Sequence, residues 1–202
     1  RALEDARSRV AGLIRVGESL VEITIASGAK TQDTPFVKVV LDVAAKINDA
    51  FESAVARGEI SMEDLLSERL SPIAGTNPQQ MMAPFTNFTD RVLPALLEPV
   101  LNIDSRIVFC AAVDRQGYLP THNRKYSHPP GMDPTWNAAN CRNRRVFNDR
   151  VGLSAGRNER PYLVQTYRRD MGGGTFALMK DVSAPIRIRG HHWGGLRLAY
   201  RV

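Results

Sequence analysis

His191-His192-Trp193-Gly194-Gly195-Leu196-Arg197-Leu198-Ala199-Tyr200-Arg201-Val202 closes the chain and decides how the rest of it is read. Leu196, Leu198 and Tyr200 alternate with Arg197 and Arg201. That period of two predicts a strand with one face in a core and the other towards solvent or a ligand. Working back, residues 187–190 form a turn and residues 175–186 a long strand. Met171-Gly172-Gly173-Gly174 reads as a hairpin turn and residues 162–170 as its other strand. Upstream of a loop rich in Pro, Asn and His lie a strand over 106–113, a tight turn at Asp114-Arg115-Gln116-Gly117, and a further strand at Tyr118-Leu119-Pro120-Thr121. A short polar helix near 136–143 fills the gap between the two groups. About five strands, joined largely by hairpins, are therefore expected after residue 103.

The first half has a different period. Val10, Leu13, Ile14, Gly17, Leu20, Val21 and Thr24 recur at helical steps until Gly28, and Phe36, Val39, Val40, Val43, Ala44, Ile47, Phe51 and Val55 do so until Gly58. A third helix is expected with Asn77 as cap, Pro78 in its first turn and Gln80 closing a capping box. It would run towards Leu101, kinked or segmented by Pro84, Pro94 and Pro99. Helices first and hairpin-linked strands afterwards predict an α+β fold, an antiparallel sheet with helices on one side. The expected boundary separates a helical region at 1–102, for dimerisation and signal transmission, from a sensor domain at 103–202.

With 202 residues, 43% hydrophobic and 24% charged, the chain has ordinary globular usage and enough core to need no metal or disulfide staple. It holds no apolar run of the roughly 18–20 residues that cross a bilayer. Arg1-Ala2-Leu3-Glu4-Asp5 lacks the apolar stretch of a secretory signal, and a start on Arg reads as a piece of something longer. Cys110 sits in an apolar run as a buried thiol. With Cys141 the only other cysteine, a reducing setting such as the cytoplasm is favoured, and a periplasmic piece from between two membrane helices stays open as the alternative. The charge is uneven: residues 1–102 carry a net −4 and residues 103–202 a net +10. That excess suits an anionic ligand, or arginines that simply solvate the surface.

No CxxC, HExxH or GxxxxGK pattern occurs, and no enzyme is expected. Gly172-Gly173-Gly174 lies between strands rather than before a helix, so it presents no helix N-terminus to a phosphate. His122, His128, His191 and His192 are the metal or haem candidates. His191 and His192 point to opposite faces of a strand, whereas His122, at a strand end, would serve alone as an axial haem ligand. Arg142, Arg144 and Arg145 crowd the short helix, with Arg168 and Arg169 at a strand end. Their planar donor forks suit a carboxylate, and Tyr118, Tyr167 and Trp193 offer an apolar wall with a polar tip. The plain alternative pairs these arginines with Asp149, Asp170 and Asp181. Nucleic acid is not an expected partner, because the arginines fall on both strand faces and no RNP-like or helix-turn-helix pattern accompanies them.

The segments Gly117-Tyr118-Leu119-Pro120-Thr121-His122-Asn123 and Asn143-Arg144-Arg145-Val146-Phe147-Asn148-Asp149-Arg150-Val151-Gly152-Leu153 resemble the sensory domain attached to many bacterial methyl-accepting chemotaxis proteins. Leu163-Val164-Gln165-Thr166-Tyr167-Arg168-Arg169-Asp170, Asp181-Val182-Ser183-Ala184-Pro185-Ile186 and Gly190-His191-His192-Trp193-Gly194-Gly195-Leu196-Arg197 extend the resemblance, in order, over residues 106–201. It implies a PAS/Cache-like five-stranded antiparallel sheet with short flanking helices, a homodimer, no catalysis, and output through a receptor's signalling domain to the chemotaxis kinase array. The ligand is expected to be a small molecule, an organic anion by the arginines. No cofactor is expected on this reading. The alternatives are a haem-bound gas or redox sensor using His122 and a structural dimerisation module without ligand. The residues expected to touch the ligand are Tyr118, His122, Asn123, Arg144, Arg145, Asp149, Tyr167, His192 and Trp193.

Overall fold

A computed structural model describes residues 2–172 and 175–202 of the chain. Helix α1 (Ala2–Ala26) leads to α2 (Thr34–Ala56), which opens with Pro35, where the missing N–H has no partner to lose. One face of α2, including Phe36, Val40, Ile47 and Phe51, is buried. The single turn α3 (Met62–Leu65) is capped by the Ser61 hydroxyl, which accepts the Asp64 N–H. Two short strands, β1 (Ser71–Pro72) and β2 (Met81–Met82), pair antiparallel before α4 (Thr86–Leu97). The third helix thus begins at Thr86 and not at the expected cap, Asn77. Gln80 does not close a capping box: its Nε2 donates to the carbonyl oxygen of Asn143 at 3.0 Å, and its N–H goes to Thr76 Oγ1. Pro94 lies inside α4, and Pro99 opens a 3-10 turn over Pro99–Asn102.

The second half supplies β3 (Ile107–Asp114), β4 (Tyr118–Leu119), α5 (Pro134–Asn140), β5 (Arg145–Val146), α6 (Arg150–Arg157), β6 (Leu163–Gly172), β7 (Thr175–Ile188) and β8 (His191–Arg201). The expected α+β class holds, but the single five-stranded sheet does not. Four strands form the antiparallel sheet in the order β3-β8-β7-β6, while β4 pairs with β5 as a separate ribbon. The turn at Gly117 and the proline after Leu119 leave β4 only two residues. The hydrogen bonds around it go to the 144–147 segment: Arg144 N–H to Leu119 O, and Phe147 N–H to Gly117 O. Of the expected hairpin turn, Gly173 and Gly174 lie outside the described residues; the flanking Gly172 and Thr175 are paired.

Helix α6 was not expected, because Arg150-Val151-Gly152-Leu153-Ser154-Ala155-Gly156-Arg157 spends two of its positions on glycine. Those glycines serve proximity instead of propensity. A Cβ on Gly156 would meet the Asp114 carbonyl oxygen, and one on Gly195 of β8 would meet the Ala155 carbonyl oxygen, so α6 lies almost backbone to backbone on the sheet.

Strand alternation gives the sheet two unlike faces. Cys110 and Ala112 of β3, Val182, Ala184 and Ile186 of β7, and Leu196, Leu198 and Tyr200 of β8 join α2 and α4 in the main core. Phe36 stacks on Tyr200 with ring centroids 3.7 Å apart, and Asp33 accepts the Tyr200 hydroxyl at 2.7 Å and Lys180 Nζ at 2.8 Å. One continuous cluster of buried side chains therefore draws on both sides of residue 102. The opposite face carries Val108, Phe109, Ala111, Val113, Met179 and Ala199 together with Gln165, Asp181, Ser183 and Arg197, all buried. A bulge between Ile107 and Phe109 lets the consecutive Val108 and Phe109 both serve this face. Helix α6 lies across it, and α1 runs beside β6 with Leu3, Val10, Leu13, Val16, Leu20 and Ile23 exposed. No described helix is long and apolar enough to cross a membrane.

A candidate ligand cavity on the polar face

The polar face of the sheet, the β4–β5 ribbon and α6 enclose a cavity of about 490 Å³, a size in the roughly 300–1,000 Å³ range of small-molecule pockets. At its floor is Arg197, only 6% exposed, on β8. Its Nε and Nη2 both donate to Oδ2 of the fully buried Asp181 on β7, at 3.0 and 2.8 Å. Burial works against the guanidinium's charge, but Asp181, Tyr167 and Asp149 together outweigh it and hold Arg197 above its ordinary value, while burial pushes the Asp181 carboxyl up. Nη1 takes no part in that pair, and Arg197 lines the cavity. Beneath it, Asp181 Oδ1 and Ser183 Oγ are buried with no hydrogen-bond partner among the described residues.

The walls are rings and arginines. Phe109 lies under the Arg197 guanidinium at 5.5 Å and meets the His122 ring edge-on at 5.3 Å. Phe147 carries the Arg142 guanidinium over its face at 4.8 Å, and Arg142 Nη1 donates to Ala138 O at the end of α5. Tyr167, Thr166, Leu119 and Val151 complete the inner wall, with Ile14 of α1 and Arg150 and Arg168 at the side. Arg150 also reaches α1, where Glu18 Oε1 lies 3.6 Å from its Nη1 and accepts the Thr166 N–H at 3.1 Å. Four arginines and one carboxylate, Asp149, line the space, so its field attracts an anion.

Three of the nine residues expected at the site line this cavity: His122, Asp149 and Tyr167. His122 is buried between Phe109 and Tyr126, and its Nδ1 accepts the Asn123 N–H at 2.7 Å. In a neutral imidazole that leaves Nε2 protonated, a hydrogen-bond donor without the lone pair a haem iron needs. Asp149 has a second duty: its Oδ1 accepts the Val151 and Gly152 N–H groups and so caps α6.

Five others hold the scaffold around the cavity. The Tyr118 hydroxyl, wholly buried, donates to Met81 O at 3.0 Å and therefore accepts from Thr86 Oγ1 at 2.8 Å. Burial pushes this phenol up to about 12. Asn123 Oδ1 accepts the Cys110 N–H at 2.8 Å, tying the loop to β3. Arg144, at φ 60, pairs with Asp90 of α4 at 2.8 Å. Arg145 also donates to Ala138 O, with its guanidinium 5.2 Å from the Phe147 ring centroid, and burial pulls that guanidinium down. Trp193 gives its Nε1–H to Leu65 O in the main core. His192 joins Trp193 at a second, smaller cavity of about 130 Å³ at the Asp114 end of the sheet. There its Nε2 is buried without a partner among the described residues, and burial lowers its pKa.

Sequence reasoning missed Arg197, Phe109 and Phe147 as site residues and gave Arg142 no place among them. The signal was present for Arg197, because the alternation in β8 assigns it to the face opposite the core. An arginine in an apolar strand invites a reading as solvent-exposed, yet its partner Asp181 lies on the neighbouring strand, two residues from Ser183, the residue directly opposite Arg197. Among the described residues, no three His, Cys, Asp or Glu side chains form a group able to hold a metal ion. No protein-family model matches the chain, and comparison with curated proteins yields no significant relative.

Proposed function

We propose that the chain is the ligand-sensing domain of a bacterial chemotaxis receptor, a non-catalytic PAS/Cache-like module that binds a small organic anion in the cavity above Arg197. The observation that carries the reading is a cationic, ring-lined cavity built on a buried polar sheet face. An arginine kept charged at its floor can give a carboxylate hydrogen bonds in a site of low dielectric. The order strand, strand, short helices and three hairpin-linked strands supports the resemblance to such sensors, as does the position of β8 between β3 and β7.

On this reading α1 is the output element. Its apolar stripe, left exposed in the single chain, supports pairing with a second copy and continuation into the receptor's signalling domain, and through it to the kinase array on the cytoplasmic side. Ile14 and Glu18 place α1 at the cavity's edge, so an anion can shift α1 by as much as its affinity differs between two placements of that helix. Nucleic acid is not a partner on this reading.

Calorimetry against a panel of organic acids tests it. One or more acids are expected to bind, and Arg142→Gln and Tyr167→Leu to weaken each by about tenfold or more, the scale of one charged hydrogen bond. Affinities unmoved by both substitutions would remove the cavity from consideration. A haem band in the absorption spectrum of the purified protein would replace the anion by haem and require the His122 ring to give up its bond from Asn123.

A further inference from the structure

We propose that the ligand is a planar aromatic carboxylate, its carboxylate on Arg197 and Arg142 and its ring against Phe109, Phe147 and Tyr167. This rests on the anion reading and narrows it to one chemical class. The two arginines lining the inner cavity are each held over the face of a phenylalanine, Arg197 on Phe109 at 5.5 Å and Arg142 on Phe147 at 4.8 Å. A carboxylate that meets either guanidinium therefore brings the rest of its molecule alongside an aromatic surface. An aryl carboxylate is flat through both groups, so one plane serves the charged contact and the ring contact together. A saturated ring or a flexible chain presents its bulk out of the carboxylate plane and gives up one of the two.

Polarity and volume point the same way. His122, Phe109, Phe147 and Tyr167 supply four rings, and Leu119 and Val151 supply apolar filling between them. A two-carbon acid would leave most of about 490 Å³ unfilled, with the rings facing nothing that excludes water from them. A second carboxylate on the ligand would share the space with Asp149, which lines the same cavity and whose Oδ1 already caps α6. That placement disfavours dicarboxylates by like-charge repulsion.

Four probes separate the claims when titrated calorimetrically into the protein: benzoate, cyclohexanecarboxylate, benzamide and succinate. Benzoate is expected to bind about tenfold or more tightly than cyclohexanecarboxylate, the scale of one aromatic contact, and benzamide and succinate not measurably. Phe147→Leu should remove benzoate's advantage over cyclohexanecarboxylate, with the thermal transition of the variant recorded to show that it is folded. Equal or tighter binding of cyclohexanecarboxylate or succinate overturns the aromatic class and leaves the anion reading standing. Benzamide binding as tightly as benzoate overturns the anion reading itself, and no binding by any probe at millimolar concentration overturns both.

Discussion

One face of the four-stranded sheet meets α2 and α4 through Leu196, Leu198, Tyr200, Val182 and Ile186; the other meets α6 through Arg197, Asp181, Ser183 and Gln165. The same strands serve both, one residue out of step. The first face is dry and filled by rings and aliphatic chains, among them Phe51 edge-on to Trp193 at 5.5 Å. The second carries a buried ion pair, unmet polar atoms and a cavity. Stability is concentrated on one side of the sheet and binding capacity on the other. A shared backbone couples them, since any ligand that moves Arg197 moves the strand that holds Leu196 and Leu198.

The sharpest way to break that contrast is to make the second face as dry as the first. Arg197→Met strands the Asp181 carboxylate in the interior and is expected to cost about 3–5 kcal/mol, the usual penalty for removing one partner of a buried pair. Arg197→Met with Asp181→Leu removes both charges and should recover most of that loss. Urea denaturation of the two single variants and the double variant gives the coupling. If the double variant is no more stable than Arg197→Met alone, the pair is not what the polar face depends on. Loss of benzoate binding in the refolded double variant would show that the pair is kept for recognition.

A second lever lies at Asp114, the last residue of β3, where the cavity-bearing face ends in a turn. Burial pushes its carboxyl up to about 6, although Oδ1 accepts the Gln116 and Tyr118 N–H groups, each at 2.8 Å. The folded value lies above the ordinary 3.8, so between the two the folded state holds the extra proton. This group's contribution to stability is therefore full below pH ~4 and is lost as pH rises through about 6, by about 3 kcal/mol at most. Asp114→Asn keeps an acceptor for both N–H groups and should lose that slope. Denaturation curves at pH 4.5 and pH 7 measure it as a change in the stability gap between the two proteins. A gap that stays constant would place the Asp114 titration elsewhere.

How much of this was legible beforehand depended on whether a residue's neighbours lie along the chain or across it. The strands β3, β6, β7 and β8 follow from alternation, which is a local property, as do α1 and α2 from their period. α6 did not, because its glycines Gly152 and Gly156 answer to the carbonyl oxygens of Phe147 and Asp114, which approach from outside the helix, and propensity reads them as breakers. The capping box at Asn77 failed for the same kind of reason: Gln80 has its partner at Asn143. The site divides likewise. Polar tips at strand ends pointed to His122, Asp149 and Tyr167, but the same rule chose Tyr118, Asn123 and Arg144, whose polar groups are taken up by Met81, Cys110 and Asp90. Arg197 looked like surface because its counter-charge sits on another strand.

Tyr118 is where that distinction can be tested at the smallest scale. Its hydroxyl lies on the scaffold side of the cavity, bonded to Thr86 and Met81, with its ring edge-on to Phe85 at 5.9 Å. Tyr118→Phe preserves the ring and removes the hydroxyl, leaving the Met81 carbonyl oxygen without this donor, at an expected cost of about 1 kcal/mol in denaturation experiments. Affinity for benzoate should be unchanged, because nothing on that ring lines the cavity. Tyr167→Phe removes one hydroxyl from the cavity wall and should do the reverse, moving affinity more than stability. If Tyr118→Phe changes binding as much as Tyr167→Phe does, the ligand reaches past Leu119 towards β2, and the two sides of the β4–β5 ribbon are not the separate scaffold and wall that their hydrogen bonds describe.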